Sequence, residues 1–344
     1  MEWRGKRVLI TGHTGFKGSW LCEMLLAKGA QVAGLALASE GPSALFEQLG
    51  LAGRIDHAIV DLRDADAVSA RVDKVAPEVV FHLGAQSLVQ RSYRAPVETW
   101  ATNVMGTVHL LEALRPQTGV AVVVVTTDKV YENREWVHAY RETDRLGGHD
   151  PYSASKAATE LVVDSWRKSF GARMAIATAR AGNVIGGGDW AENRIVPDLV
   201  RAFAAGVPLA LRNPSATRPF QHVLEPLSGY ITLAERLISG DPTWQSAFNF
   251  GPKTDDLMSV RELVEAAAQI WPGTWVDASD PKAAHEAGRL SLTIDKARHD
   301  LGWSPRWPLG RGLRETISWY LAVHKGGDPA KIIRDQIAGY EADA

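Results

Sequence analysis

The chain has 344 residues, 45% hydrophobic and 23% charged, with a formal net charge of −2. That length buries a sizeable core and points to two domains, or one large domain with an appendage. The near-neutral balance argues against nucleic acid or an anionic membrane as the main partner, and a single cysteine, Cys22, excludes an intrachain disulfide. No apolar run reaches membrane-spanning length. The opening MEWRGKRVLITG reads as a strand and a glycine loop rather than a signal peptide, so a cytoplasmic protein is expected.

Residues 6–11 read as a strand, 12–18 (GHTGFKG) as a loop with Gly-x-x-Gly-x-x-Gly spacing, and 19–29 as a helix. In that order the glycines allow a tight turn and close backbone approach, and the helix N-terminus faces a pyrophosphate. Gly12, Thr14, Gly15, Phe16, Lys17 and Gly18 are the expected dinucleotide contacts. The second strand, 31–37, should end in an acid for the adenosine ribose or an Arg for a 2′-phosphate. Ser39 and Glu40 are the nearest polar groups, and the missing Arg leans toward NAD. Residues 59–64 read as the end of a third strand, carrying Leu62 and placing Asp61 to accept from the adenine amine. A fourth strand over 78–86 runs into Leu83, Gly84 and Ala85, small enough for the chain to pass close to the cofactor. His82 has no second histidine at ligand spacing, so a core role outweighs metal binding. Residues 99–114 read as a long helix containing Asn103.

The apolar run 121–125 reads as a buried strand. Thr126, Thr127, Asp128 and Lys129 follow at its carboxyl end, where ligands of open parallel sheets bind. Downstream stand Tyr152 and Lys156. On a helix, residues four apart share a face. A lysine ammonium beside a tyrosine hydroxyl favours the phenolate and lowers a reference pKa of ~10. Such a tyrosine can take a proton from an alcohol near neutral pH, and the ammonium can bond ribose hydroxyls. A solvated helix pair and a polar capping loop would look alike in isolation; the strand-end context favours a reaction centre. The helix continues to about residue 170, a strand covers 174–180, and a glycine run leads out of the sheet. Arg212, Asn213 and Pro214, with Arg218 to Val223, form a basic, proline-stiffened stretch that suits a diphosphate, or a surface turn. A helix over 225–238, a short strand at 248–250 and helical segments with Trp and Pro turns complete the chain.

The stretches TGHTGFKGSW, TTDKVYENREW, GGHDPYSASK, ARAGNVIGGGDW, RPFQHVLEPLSGY and LGWSP carry a resemblance. The sequence resembles the extended short-chain dehydrogenase/reductases that act on nucleotide sugars, and among them the CDP-glucose 4,6-dehydratase branch. The resemblance implies an α/β fold: a Rossmann-like doubly wound parallel sheet that binds NAD (1–187 and 222–250), with a smaller C-terminal domain for a CDP-sugar (188–221 and 251–344). It implies that Tyr152 deprotonates the glucose 4-hydroxyl as hydride leaves C4, that Lys156 supports it, and that Thr127 bonds the same oxygen. Asp128 stands where the family keeps the acid for the 6-hydroxyl, and Lys129 where relatives keep the C5 base. Gln86, Asn183, Arg194, Arg212, Arg218, His222 and Arg289 are the implied substrate contacts, with no metal. The helices over 97–114 and 153–170 are implied to pair with their copies in a homodimer or homotetramer. Gly84 and Ser87 stand where that branch is expected to have Ala and Pro. Two other functions share much of this pattern. A nucleotide-sugar 4-epimerase needs no acid–base pair for elimination, and a non-enzymatic NAD sensor usually loses the Tyr or the Lys.

Overall fold

The computed structural model describes residues 2–41, 43–171, 173–254, 256–279 and 290–343. Seven strands form one sheet: β1 (Arg7–Thr11), β2 (Gln31–Ala36), β3 (Asp56–Ile59), β4 (Val79–His82), β5 (Val120–Val125), β6 (Met174–Ala181) and β7 (Ala247–Phe250). Their spatial order is β3-β2-β1-β4-β5-β6-β7, and every neighbouring pair is parallel. This is the doubly wound sheet that the glycine loop and apolar runs predict. The strand order reverses between β1 and β4, the place where such sheets bind ligands.

Both faces of the sheet are covered, which is why a strand such as VAVVVV can be apolar throughout. Alternate side chains go to opposite faces. Ala121, Val123 and Val125 join one core with Trp20 and Leu21 of the Phe16–Ala27 helix and Leu227 and Tyr230 of the Leu224–Ile238 helix. Val122 and Val124 join another with Val72, Leu110 and Val163. The first core extends without a break to Trp303, Trp307 and Trp319 of the C-terminal part.

Two boundaries differ from the sequence reading. β3 stops at Ile59, because Asp64 leaves the sheet to accept from the Ala67 amide and cap the Ala65–Val75 helix. The helix expected over 99–114 begins earlier and is interrupted: Pro96–Trp100 passes through a π-turn at Ala101–Met105 into Gly106–Leu114. Beyond the sheet, Val184–Ile185 pairs with Gln221–His222, Leu209–Leu211 with Trp275–Asp277, and Thr217–Arg218 with Met258–Ser259. The last two pairs tie the 188–221 segment to the chain beyond residue 251. Among the described residues, no helix is long and apolar enough to cross a membrane.

Candidate active site

The carboxyl ends of the central strands open into a cleft of about 1230 Å³. That exceeds the ~300–1,000 Å³ of an ordinary small-molecule site and leaves room for two ligands. The glycine loop forms one end. Gly12 has φ +75°, and a Cβ there would lie 2.8 Å from the Gly84 amide nitrogen, so no other residue fits. A Cβ on Gly15 would meet only the Gly12 carbonyl oxygen, at 3.4 Å, so this face of the loop is open to the cleft. No side chain caps the helix that starts at Phe16, which leaves its first N–H groups for a ligand. The cradle fits a dinucleotide pyrophosphate. Thr14 donates to the Leu37 carbonyl at 2.9 Å and ties the loop to β2. Half-buried Lys17 lines the cleft; burial, with Arg194 and Lys156 nearby, lowers its pKa to about 7. Asp61 and Leu62 line this end of the cleft, with Asp61 gripped by Arg63 through bonds of 2.5–3.0 Å.

Leu83, Gly84 and Ala85 also line this end. A Cβ on Gly84 would come within 2.6 Å of Leu62 Cδ1, so glycine there makes room for Leu62. The Gly84 amide donates to Thr11 Oγ1 at 2.9 Å. Thr11 Oγ1 lies 2.7 Å from His82 Nδ1, and His82 Nε2 lies 3.0 Å from Thr107 Oγ1. Burial lowers the His82 pKa to about 3, so the ring is a neutral, satisfied link in the core.

The groups that the sequence points to as reactive follow β5. Thr127 caps a short 3₁₀ turn at Asp128–Val130. Its hydroxyl donates to Asp128 Oδ1 at 2.9 Å, and Lys129 Nζ reaches the same oxygen at 3.2 Å. Asp128 is fully buried, and its Oδ2 has no partner. The facing helix, Pro151–Phe170, is started by the Asp150 cap with Pro151 in its first turn. It turns Tyr152, Lys156 and Glu160 to one side, four residues apart. Tyr152 and Thr127 line the same cleft, and Lys156 Nζ donates to the Val125 carbonyl at 2.8 Å.

The titration of this pair corrects the sequence reading. Tyr152 is not lowered by Lys156: burial pushes its pKa up to about 12, with the Asp128 charge adding to the rise and Thr127 opposing it. Burial lowers the Lys156 pKa to about 8, opposed by Glu160. The phenol is dry, and the ammonium spends a bond on the backbone, so desolvation outweighs attraction.

Glu160 is part of a clamp that the sequence did not reveal. Its carboxylate accepts from Thr126 (2.5 Å), Thr178 (2.8 Å) and Arg180 (2.9 and 3.0 Å). Burial opposes its charge, yet Arg180 holds the carboxyl below its ordinary range. Asn103, in the π-turn, is a second such residue. Its side chain bonds both backbone groups of Gln86 (2.8 and 3.0 Å) and the Ser155 hydroxyl (2.9 Å), and its carbonyl accepts from Thr159 (3.0 Å). A π-turn redirects backbone groups in this way, often at functional sites. The only signal in the sequence was a polar residue at a buried helical position.

At the other end of the cleft stand Asn183, Arg194, Arg212 and Arg218. Arg194 pairs with buried Asp189 at 2.9 Å and donates to Ser87 at 3.3 Å, which gives Ser87 a task that proline could not perform. Asn183 Oδ1 is buried without a partner. Two expected substrate contacts are placed elsewhere. The Gln86 side chain turns into its own loop, donating to Thr99 and accepting from the Leu88 amide. His222 is buried between Trp20 and Trp307, away from the cleft. Arg289 lies outside the described residues. No group of three or more His, Cys, Asp or Glu placed to hold a metal occurs among the described residues.

A family model described as GDP-mannose 4,6 dehydratase matches residues 9–316. The chain belongs to that family. Among its dehydratase relatives, a CDP-glucose 4,6-dehydratase of Salmonella typhimurium is 44% identical over 348 residues, covering 98% of this chain and 97% of that one. A UDP-glucose 4-epimerase of Mycolicibacterium smegmatis is 30% identical, with 91% and 98% covered. The fold of this family member superposes on a dTDP-glucose 4,6-dehydratase of Streptomyces venezuelae solved with NAD bound. That match has a TM-score of 0.80 at 26% identity, covering 94% of this chain and 99% of that one.

Proposed function

We propose that the protein is an NAD-dependent hydro-lyase that converts CDP-glucose to CDP-4-keto-6-deoxyglucose. One observation carries the reading: Thr127, Lys129, Tyr152 and Lys156 line the same cleft as the glycine loop at the end of β5, with Asp128 buried behind them and bonded to Thr127 and Lys129. The Salmonella relative supports the choice of nucleotide. NAD, when bound, accepts hydride from C4 of the sugar and returns it to C6. Gly12, Thr14, Gly15, Phe16, Lys17 and Gly18 hold its pyrophosphate, and Asp61, Leu62, Leu83, Gly84 and Ala85 border its adenosine half. Lys156 supports the nicotinamide ribose.

Tyr152 and Thr127 contact the sugar 4-oxygen, and Tyr152 receives its proton. The resulting ketone acidifies C5, Lys129 removes and later restores the C5 proton, and Asp128 protonates the departing 6-hydroxyl. Asn183, Arg194, Arg212 and Arg218 take the nucleotide diphosphate. In this reading the segments 188–221 and 251–344 form the sugar-nucleotide domain. The enzyme works in the cytoplasm, needs neither nucleic acid nor membrane, and pairs with a second copy. An epimerase would have no use for a buried carboxyl and an amine beside Thr127.

Incubation with CDP-, dTDP-, GDP- and UDP-hexoses, with mass spectrometry for loss of water, tests the assignment. Dehydration of CDP-glucose above the others is expected. Isomerised sugar without water loss would replace this reading with the epimerase.

A further inference from the structure

Water loss across C5–C6 needs a free amine on Lys129 and a neutral carboxyl on Asp128. In water at neutral pH a lysine is protonated and an aspartate ionised, the reverse of both requirements. In the fold the two groups touch: Lys129 Nζ donates to Asp128 Oδ1 at 3.2 Å. Asp128 has no exposed surface, while Lys129 keeps 29% of its side chain exposed and lines the cleft. A sugar filling the cleft takes the remaining water from Lys129, and loss of water disfavours charged forms. An ammonium against a carboxylate has a direct way out of that cost. One proton moved across the contact discharges both groups.

We propose that Lys129 hands its proton to Asp128 when the sugar is bound, so that one transfer makes the base for C5 and the acid for the 6-hydroxyl together. The inference rests on the reading of Lys129 as that base and Asp128 as that acid. An N–H bond of the ammonium breaks, an O–H bond forms on Asp128 Oδ1, and both charges vanish. The amine lone pair then takes the C5 proton, and the C5–H electron pair moves into the C4 ketone as an enolate. The enolate pair forms C5=C6, the C6–O bond breaks, and the departing oxygen takes the Asp128 proton and leaves as water. Asp128 is again a carboxylate and Lys129 an ammonium. When hydride reaches C6, Lys129 returns its proton to C5. One proton has left in the water, and the one that Tyr152 took at O4 replaces it through solvent once product departs.

Two further features fit. Asp128 Oδ1 also accepts from Thr127 Oγ1 at 2.9 Å, and a protonated oxygen keeps a lone pair for that bond. Asp128 Oδ2 is buried without a partner, so the neutral carboxyl can turn about Cβ–Cγ and release the amine lone pair toward the sugar. A Cβ on Gly182, which lines the cleft, would lie 3.2 Å from Oδ2, so glycine there leaves room for the turn. The other titratable groups that act on Asp128 are Lys17 of the glycine loop and Tyr152 of the facing helix.

The test uses CDP-4-keto-6-deoxyglucose, which carries the ketone and the C5 hydrogen but has no 6-hydroxyl to lose. Its C5 hydrogen exchanges with solvent deuterium through the base alone, and mass spectrometry follows this in the NAD-loaded enzyme against pH. A proton kept within the pair does not change the pair's total, so wild-type exchange should be flat across neutral pH. Asp128→Asn leaves Lys129 no partner to take its proton. Its exchange should fall by about 10²-fold near neutral pH and climb about tenfold per pH unit as solvent removes that proton. Lys129→Arg keeps a cation beside Asp128 that cannot be deprotonated, and should not exchange at any pH. Calorimetry with CDP checks that each variant still binds, and a merely structural defect would lower exchange without tilting its pH profile. A wild-type rate that itself climbs tenfold per pH unit overturns the pairing without any variant. If Asp128→Asn exchanges at the wild-type rate and only loses water slowly from CDP-glucose, the pairing falls while Asp128 stands as the acid. If it also dehydrates at full rate, the acid assignment falls as well. Exchange by Lys129→Arg at the wild-type rate removes Lys129 as the base, and the pairing with it.

Discussion

Tyr152 and Lys156 are both buried, and burial moves each away from its charged form. Tyr152→Phe should abolish the first hydride transfer, read as absence of reduced-cofactor absorbance in a single turnover; an undiminished signal would remove Tyr152 from the proton path. Lys156 has a stability signature as well. Its pKa is about 8 in the fold against 10.5 for a free side chain. Between those values the unfolded chain binds more protons, so stability rises with pH across that window. Below pH 8 the buried ammonium is a full liability. Cofactor-free Lys156→Met should therefore be more stable than wild type at pH 7 by ~1–3 kcal/mol, the range left after the lost bond to Val125 is subtracted. The difference should shrink as pH rises toward 10.5, while oxidation is lost throughout. Urea titrations at several pH values check both signs. Lys129→Met should spare the C4 oxidation and suppress exchange of the C5 hydrogen with solvent deuterium, read by mass spectrometry.

At the scale of elements, the site depends on three pieces ending at one level. Val125 of β5 is registered with Ala179 of β6, and the Pro151–Phe170 helix lies across them. The Glu160–Arg180 pair with Thr126 and Thr178 fastens these pieces beneath the reacting groups. Removing one partner of a buried pair leaves a charge that nothing compensates. Arg180→Leu should cost ~3–5 kcal/mol in urea unfolding, and Arg180→Leu with Glu160→Leu should cost less than the single change. Equal losses for the single and double variants would count against the clamp. The glycine loop makes its own demand. Gly15 is short of a side chain because of the cleft, not because of the protein behind it. Gly15→Val should fold normally and lose NAD binding by calorimetry; tight NAD binding would displace the pyrophosphate from this loop.

At the scale of the whole molecule, an apolar stripe is exposed among the described residues. Val97 is 81% exposed and Leu161 62%, with Trp100 and Met105 beside Val97 on the same helical run. The stripe covers part of the two helices for which the sequence implies a partner, and such patches mark contacts between chains. We infer that a second copy covers it. Val97→Asp with Leu161→Asp should convert the protein to a monomer by light scattering without lowering its helix content, and a monodisperse wild-type monomer would defeat the inference.

The local chemistry of this protein was legible in its sequence because it rests on short-range order. A glycine loop between an apolar strand and a helix, and a Tyr and Lys one helical turn apart, need only neighbouring residues to be recognised. The doubly wound sheet followed from the same alternation of apolar strands and helices. Tertiary structure decided what depends on distant partners. His222 looked like a ligand beside two arginines, but packing against Trp20, 202 residues away in the chain, buries it in the core. Gln86 sits beside the small-residue loop, but Thr99 and Asn103 hold it there. The pKa of Tyr152 could not follow from its spacing to Lys156, because desolvation is set by everything that packs around a group. Tyr152 and Thr127 line one cleft only because the helix that begins at Pro151 is laid across the end of β5. Spacing along the chain determines which residues share a face, and packing across the sheet determines what that face meets.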